Sequence, residues 1–147
     1  YMMIELMKEI NLTAKSVLDF GTGTGILAIL AEKSGAGNIH AIDNDGWSIA
    51  NAEENFKKNN CNKIVLRRAS AISSKIKYDV ILANINKNVI LENFSMLSAQ
   101  LNKEGKILIS GLLLDDKGEI LSIATELRLS LKKELIRNNW IALQLHK

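Results

Sequence analysis

An α/β domain with a mostly parallel sheet is the predicted fold class, and three observations predict it. Short apolar runs alternate with helix-spaced segments from end to end, the pattern of successive strand–helix–strand units. The first strand runs straight into alternating glycines and then a helix, in VLDFGTGTGILAIL at 17–30. Two strand-like runs close the chain, separated by so few residues that they must pair antiparallel.

The elements follow in order. YMMIELMKEINL (1–12) carries Met2, Met3, Leu6, Met7 and Ile10 at helical spacing. KSVLDF (15–20) is a short apolar strand, and GILAILAEKSGAG (25–37) is a helix ended by Gly35 and Gly37, which suit left-handed caps. NIHAID (38–43) is a second strand. DGWSIANAEENFKKNN (45–60) is a helix with Ile49, Ala52 and Phe56 on one stripe, and KIVLRRA (63–69) is a third strand. The rhythm repeats with strand YDVILANI (78–85), helix NVILENFSMLSAQL (88–101) and strand GKILISGLL (105–113). DKGEILSIATEL (116–127) is a helix whose first turn is weakened by Gly118. In the tail, Asn138–Asn139 makes a tight turn between two strands. Repeats and linkers are lacking, so residues 1–147 read as one domain.

Composition sets the bounds. A chain of 147 residues, 47% hydrophobic and 24% charged, suits one globular domain with a sizeable core. Its longest apolar runs fall far short of the roughly 20 residues of a membrane span, so no membrane association is expected. A lone cysteine, Cys61, fits a reducing, cytoplasmic setting. The net charge of +3 is mild for a nucleic-acid binder. Lysines and arginines at 57–58, 67–68, 75–77 and 132–133 read as solvated charge, with a surface for an RNA-rich partner as the alternative. No direct nucleic-acid binding and no metal centre are expected.

Glycines between a strand and a helix bring bare backbone and a helix amino terminus up to a ligand. Gly23, Gly25 and Ala28, with Asp43 about 20 residues on, fit the dinucleotide fingerprint G-x-G-x-x-G/A. Asp19 argues for another ligand. It makes DFGTGTG, which resembles the first motif of S-adenosylmethionine-dependent methyltransferases, with Thr22 inside the same turn. A carboxylate there favours a sulfonium and an amino group, and would repel a pyrophosphate, which makes Asp19 a candidate cofactor contact; the alternative is that it only bonds the turn's amides. Asp43, ending the second strand, can accept from both ribose hydroxyls, with Asn44 beside the adenine. Asp45 is the better placed helix cap, and Trp47 is expected to pack.

The set VLDFGTGTGILAILAEKSGA, AIDNDGWSIANAEENFKKN, YDVILANI, GKILISGLL and NNWIALQLHK resembles the catalytic domain of the bacterial methyltransferases that modify large-subunit ribosomal protein eleven. The resemblance covers essentially the whole chain. It implies a Rossmann-like, doubly wound, seven-stranded sheet, mostly parallel with the last strand antiparallel. It also implies S-adenosylmethionine as cofactor, cofactor contacts at Gly21, Asp43 and Asn84, a catalytic role for Asn84 in aiming an amine, and that ribosomal protein as partner. The family's amino-terminal substrate-binding domain and its glycine–threonine loop are not in these residues, so a fragment is expected, and a monomer. Where related enzymes hold an acid to the adenine amine, this chain has Ser70 or Ala71, as the hydroxyl acceptor or the backbone amide.

The reaction so implied is in-line displacement on the sulfonium methyl by a neutral amine, a lysine side chain or an α-amino group. A lysine of pKa about 10.4 must first lose its proton. Cys61, His40 and His146 read as non-catalytic. Trp140 packs as core or lines the substrate mouth. The alternatives are methyl transfer to another protein or a small molecule, an NAD-type oxidoreductase domain, and a non-catalytic binding module.

Overall fold

In the computed structural model, which describes residues 1–73 and 75–147, the sequence pattern becomes seven strands and five α-helices among the described residues. The strands are β1 (Ser16–Phe20), β2 (Asn38–Asp43), β3 (Ile64–Arg68), β4 (Tyr78–Asn84), β5 (Leu101–Leu113), β6 (Ser130–Arg137) and β7 (Trp140–His146). The helices are α1 (Met2–Lys8), α2 (Ile26–Lys33), α3 (Gly46–Lys58), α4 (Lys87–Ala99) and α5 (Lys117–Glu126).

One sheet runs in the order β3-β2-β1-β4-β5-β7-β6. β1 to β5 pair in parallel, and β7 lies antiparallel between β5 and β6. The expected sheet is therefore the one formed. Asn138 and Asn139 both take positive φ, +48° and +65°, as a two-residue turn matched to strand twist requires. Two boundaries differ most from expectation: α1 ends at Lys8, short of Leu12, and the start of β5 comes early. β5 starts at Leu101, four residues before Gly105, because the Gln100 carbonyl that closes α4 accepts the Tyr78 amide at 2.8 Å and starts pairing there.

Parallel strands buried on both faces need continuous apolar sequence. β4 supplies it from Val80 to Ala83, and β1 from Val17 to Phe20 with the buried Asp19 as its one exception. On one face Met3, Leu6, Leu27, Ala52 and Phe56 bring α1, α2 and α3 onto the sheet. On the other, Ile90, Phe94, Leu97, Ile120 and Ala124 seat α4 and α5. Burying a side chain such as fully covered Phe94 contributes about 1.5–3 kcal/mol. Trp47 departs from expectation: it is 77% exposed, on the first turn of α3, and packs on no core.

Strand order reverses between β1 and β4. Such a switch point opens a crevice at the carboxyl ends of the strands, and the residues singled out above gather there.

Candidate functional site

The turn after β1 is built from its own backbone. Gly21 and Thr22 amides both donate to the Ile42 carbonyl at 2.9 Å, and the Gly25 amide donates to the Thr22 carbonyl at 2.8 Å. Gly21 and Gly25 take φ of +71° and +80°, the left-handed region where a side chain is strained. Gly21 also leaves room for Ile85: a Cβ at 21 would lie 2.5 Å from Ile85 Cγ2.

Asp19 lies under this turn, 1% exposed, and lines neither cavity described below. Its Oδ2 accepts from the Thr22 hydroxyl at 2.6 Å and from the Ala28 amide at 3.1 Å. Oδ1 is shielded and has no partner among the described residues. Thr22, also buried, spends its hydroxyl on Asp19. The pair thus holds the turn and the first turn of α2. Burial pushes the Asp19 carboxyl up to about 6, against the lowering effect of its Thr22 and Ala28 bonds.

That shift has a sign. The native pKa exceeds the ordinary 3.8, so between these values the folded chain binds more protons than the unfolded one, and this group's contribution is lost as pH rises through about 6. Asp19→Asn removes the titration. Between pH 4.5 and 7 the stability of the variant relative to wild type is expected to rise by about 2 kcal/mol, read from urea unfolding at each pH. A difference that does not move with pH would refute the assignment.

Asp43 faces both ways. Its Oδ2 accepts the Gly23 amide at 2.9 Å and its Oδ1 the Asp45 amide at 3.0 Å, so each oxygen keeps acceptor capacity for a ligand. Asp45 caps α3 through the Ser48 amide at 2.8 Å, as expected. Asp43, Gly21, Asn44 and Ser70 line one cavity of about 440 Å³ together with Val89, Glu92 and Asn93 of α4. Ala71 does not line it, and Ala69 does, because the strand register carries residue 69 to the edge: its amide donates to the Asp43 carbonyl at 2.9 Å. Gly23 and Gly25 also lie off the wall, shaping the turn.

A second cavity, of about 320 Å³, opens over β4 and β5. Asn84 lines it together with Met3, Ile26, Leu27, Ser110 and Trp140. The Ser110 hydroxyl donates to Asn84 Oδ1 at 2.7 Å. Trp140 is 48% exposed at this mouth, which corrects the core reading, since β7 presents its first side chain beyond the helices. Asn84 and Ile85, adjacent in sequence, thus each line one cavity.

Sequence reasoning missed the α4 wall and Ser110. Val89, Glu92 and Asn93 stand at i, i+3 and i+4 after Asn86, a face whose polar members were the available signal. Ser110 carried only the signal of a hydroxyl inside an otherwise apolar strand. The three unengaged groups stay outside the site. His40 Nδ1 meets the Tyr78 hydroxyl at 3.0 Å inside the sheet, His146 pairs with Gln144, and burial pushes the Cys61 thiol up, away from thiolate chemistry.

Against known proteins, the family model described as "Ribosomal protein L11 methyltransferase (PrmA)" matches residues 1–147. The ribosomal protein L11 methyltransferase of Porphyromonas gingivalis is 39% identical over 145 residues, 97% of this chain and 50% of that protein. The one of Phocaeicola vulgatus is 35% identical over 144 residues, 97% of this chain and 51% of that protein. The chain spans about half the length of these curated relatives. In three dimensions it is similar to the ribosomal protein L11 methylase of Lactobacillus delbrueckii subsp. bulgaricus, with TM-score 0.93 and 30% identity over 97% of this chain and 75% of that one.

Proposed function

The chain belongs to the ribosomal protein L11 methyltransferase family, and from that premise we propose that it carries the catalytic part of an S-adenosylmethionine-dependent protein N-methyltransferase. Its substrate amines are lysine side chains or the α-amino group of that ribosomal protein, in the cytoplasm. One observation supports this reading above a dinucleotide one. The amino terminus of α2, where a pyrophosphate would seat, already spends its Ala28 amide on the Asp19 carboxylate. A buried anion at that point is repulsive to a phosphate and favourable to a sulfonium or an ammonium.

The residues present fit the cofactor. Asp43 has acceptor capacity for a ribose diol, and Asn44, Ala69 and Ser70, which line the same cavity, would hold the adenine. Gly21 presents backbone without a side chain at the cavity wall. Asp19 and Thr22 act from beneath, by fixing the turn. When bound, S-adenosylmethionine supplies a methyl group on positively charged sulfur. Everything else falls to the chain. Apolar walls at Met3, Ile26, Leu27 and Trp140 desolvate an incoming amine, which lowers its pKa and favours the neutral nucleophile. Asn84 Oδ1 accepts an N–H and so turns the nitrogen lone pair. The displaced proton passes to water. Rate acceleration then comes mostly from orientation.

Calorimetric titration tests the reading: S-adenosylhomocysteine is expected to bind more tightly than NAD, and the reverse order would overturn it. For Asn84→Ala, methyl transfer is expected to fall about 100-fold while affinity for S-adenosylhomocysteine stays within about threefold. Equal losses in both would mean that Asn84 serves the cofactor alone.

A further inference from the structure

The second cavity is lined by the side chains of exposed Asn84 and buried Ser110, by the polar-tipped aromatics Tyr1 and Trp140, and by Met2, Met3, Ile26 and Leu27. A serine hydroxyl has one proton and can accept through its oxygen. Here that proton is committed to Asn84 Oδ1 at 2.7 Å. Ser110 Oγ is left with acceptor capacity only, and Asn84 Oδ1 keeps one of its two lone-pair directions. Two neutral acceptors therefore stand 2.7 Å apart at the edge of the sheet, and neither carries a charge.

Their placement is fixed from below. The Ser110 carbonyl accepts the Ile85 amide at 3.2 Å, which ties β5 to the end of β4. Gly111, at φ +85°, follows, and a Cβ there would lie 2.7 Å from the Ile85 carbonyl oxygen. The β5 bulge between Ser110 and Leu112 accompanies this close approach. Ser110 itself is only 5% exposed, so the hydroxyl has few rotamers in which to stray.

We infer that Ser110 is a second substrate-contacting residue, whose oxygen accepts one N–H of an unmethylated primary amine while Asn84 Oδ1 accepts another. This rests on the methyltransferase reading above and adds a preference to it. A neutral primary amine has two N–H groups and one lone pair. Holding both N–H groups leaves the lone pair as the only free direction on nitrogen. After one transfer the neutral secondary amine has a single N–H, which one acceptor satisfies, and its new methyl rests against the apolar walls. Ser110 therefore matters most for the first methyl added. Among the described residues no acidic side chain lines the cavity, so an ammonium finds no counter-charge from them and enters best after losing its proton.

The test compares two amine substrates on the intact natural protein: a peptide with unmethylated lysine and the same peptide monomethylated. For Ser110→Ala, kcat on the unmethylated peptide is expected to fall about tenfold. On the monomethylated peptide the fall is less than about threefold, with affinity for S-adenosylhomocysteine unchanged. Ser110→Thr, which keeps the hydroxyl, is expected to restore the preference. If Ser110→Ala does not fold, Ser110→Cys carries the same expectation, because its sulfur is a poor acceptor. Equal losses on both peptides, or none on either, overturn the assignment of Ser110. Wild-type protein that binds S-adenosylhomocysteine yet methylates no amine refutes the functional reading instead.

Discussion

Asp43→Ala is expected to weaken S-adenosylhomocysteine binding at least 100-fold in calorimetry. The size follows from what one carboxylate does here. Its two oxygens already accept the Gly23 and Asp45 amides, at 2.9 and 3.0 Å, from the turn after β1 and the entry to α3. Their remaining acceptor capacity faces the cavity shared with Gly21, Asn44 and Ser70. Two charge-assisted hydrogen bonds to a ribose diol contribute about 1.5–3 kcal/mol each, so losing both costs about 3–6 kcal/mol of binding. The substitution also leaves the Gly23 and Asp45 amides without their acceptor. The melting temperature should fall as well, but modestly, because both amides lie in a loop that water can reach. Asp43→Asn separates these contributions. It retains one carbonyl acceptor and loses the charge, so it should bind with intermediate affinity. Unchanged affinity in Asp43→Ala would remove the ribose role altogether.

What the sequence made legible is the part of the site held by backbone geometry. A strand followed by glycines that need positive φ has few folded outcomes, so the turn at 21–25 and the acid ending β2 could be placed from residue types alone. The antiparallel end was equally readable, because two asparagines tolerate left-handed φ in a two-residue turn and almost nothing else there would. What escaped depends on which atoms meet through space. Asp19 reads as a ligand anion by motif, yet its neighbours are Thr22 and Ala28, three and nine positions along, and the fold closes over it. Ser110 and Asn84 are 26 residues apart and become partners only because β5 lies beside β4 in that register. Of the two positions offered after β3, Ser70 lines the cavity and Ala71 does not. The end of β3 at Arg68 and the bond from the Ala69 amide to the Asp43 carbonyl put 69, not 71, on the cavity wall. By sequence Trp47 is expected to pack, and Trp140 to pack as core or line the substrate mouth; both sit in the first turn or first position of their elements and are exposed.

Gly25→Ala is expected to destabilise the fold by about 2–5 kcal/mol. Two independent costs combine. The residue caps α2 at φ +80°, and a Cβ in that region costs roughly 1–2 kcal/mol. The added carbon would also lie 2.8 Å from Phe56 Cζ, closer still to Cε1, and 3.3 Å from the Ala52 Cβ. Phe56 is 6% exposed and wedged among residues of α2 and α3, so its ring has little room to yield, and overpacking of this kind costs about 1–3 kcal/mol. For a domain of this size the melting temperature should drop by about 5–20 °C. Gly23→Ala isolates the first cost: its φ is +54°, but no atom of the described residues lies within 4 Å of the position a Cβ would take, so only about 1–2 kcal/mol is expected. The second cost has its own control. Phe56→Leu trims the ring that the new Cβ meets, so Gly25→Ala should cost less in that background than in wild type, even though Phe56→Leu alone is destabilising. Strict additivity of the two would mean that the left-handed dihedral, and not the α2–α3 contact, is what reserves position 25 for glycine. The contact also matters for binding, because α3 begins beside Asp43. A ring pushed outward at Phe56 would shift the helix whose Asp45 amide orients that carboxylate, so Gly25→Ala should weaken cofactor affinity without touching the cavity wall, whereas Gly23→Ala should do so less.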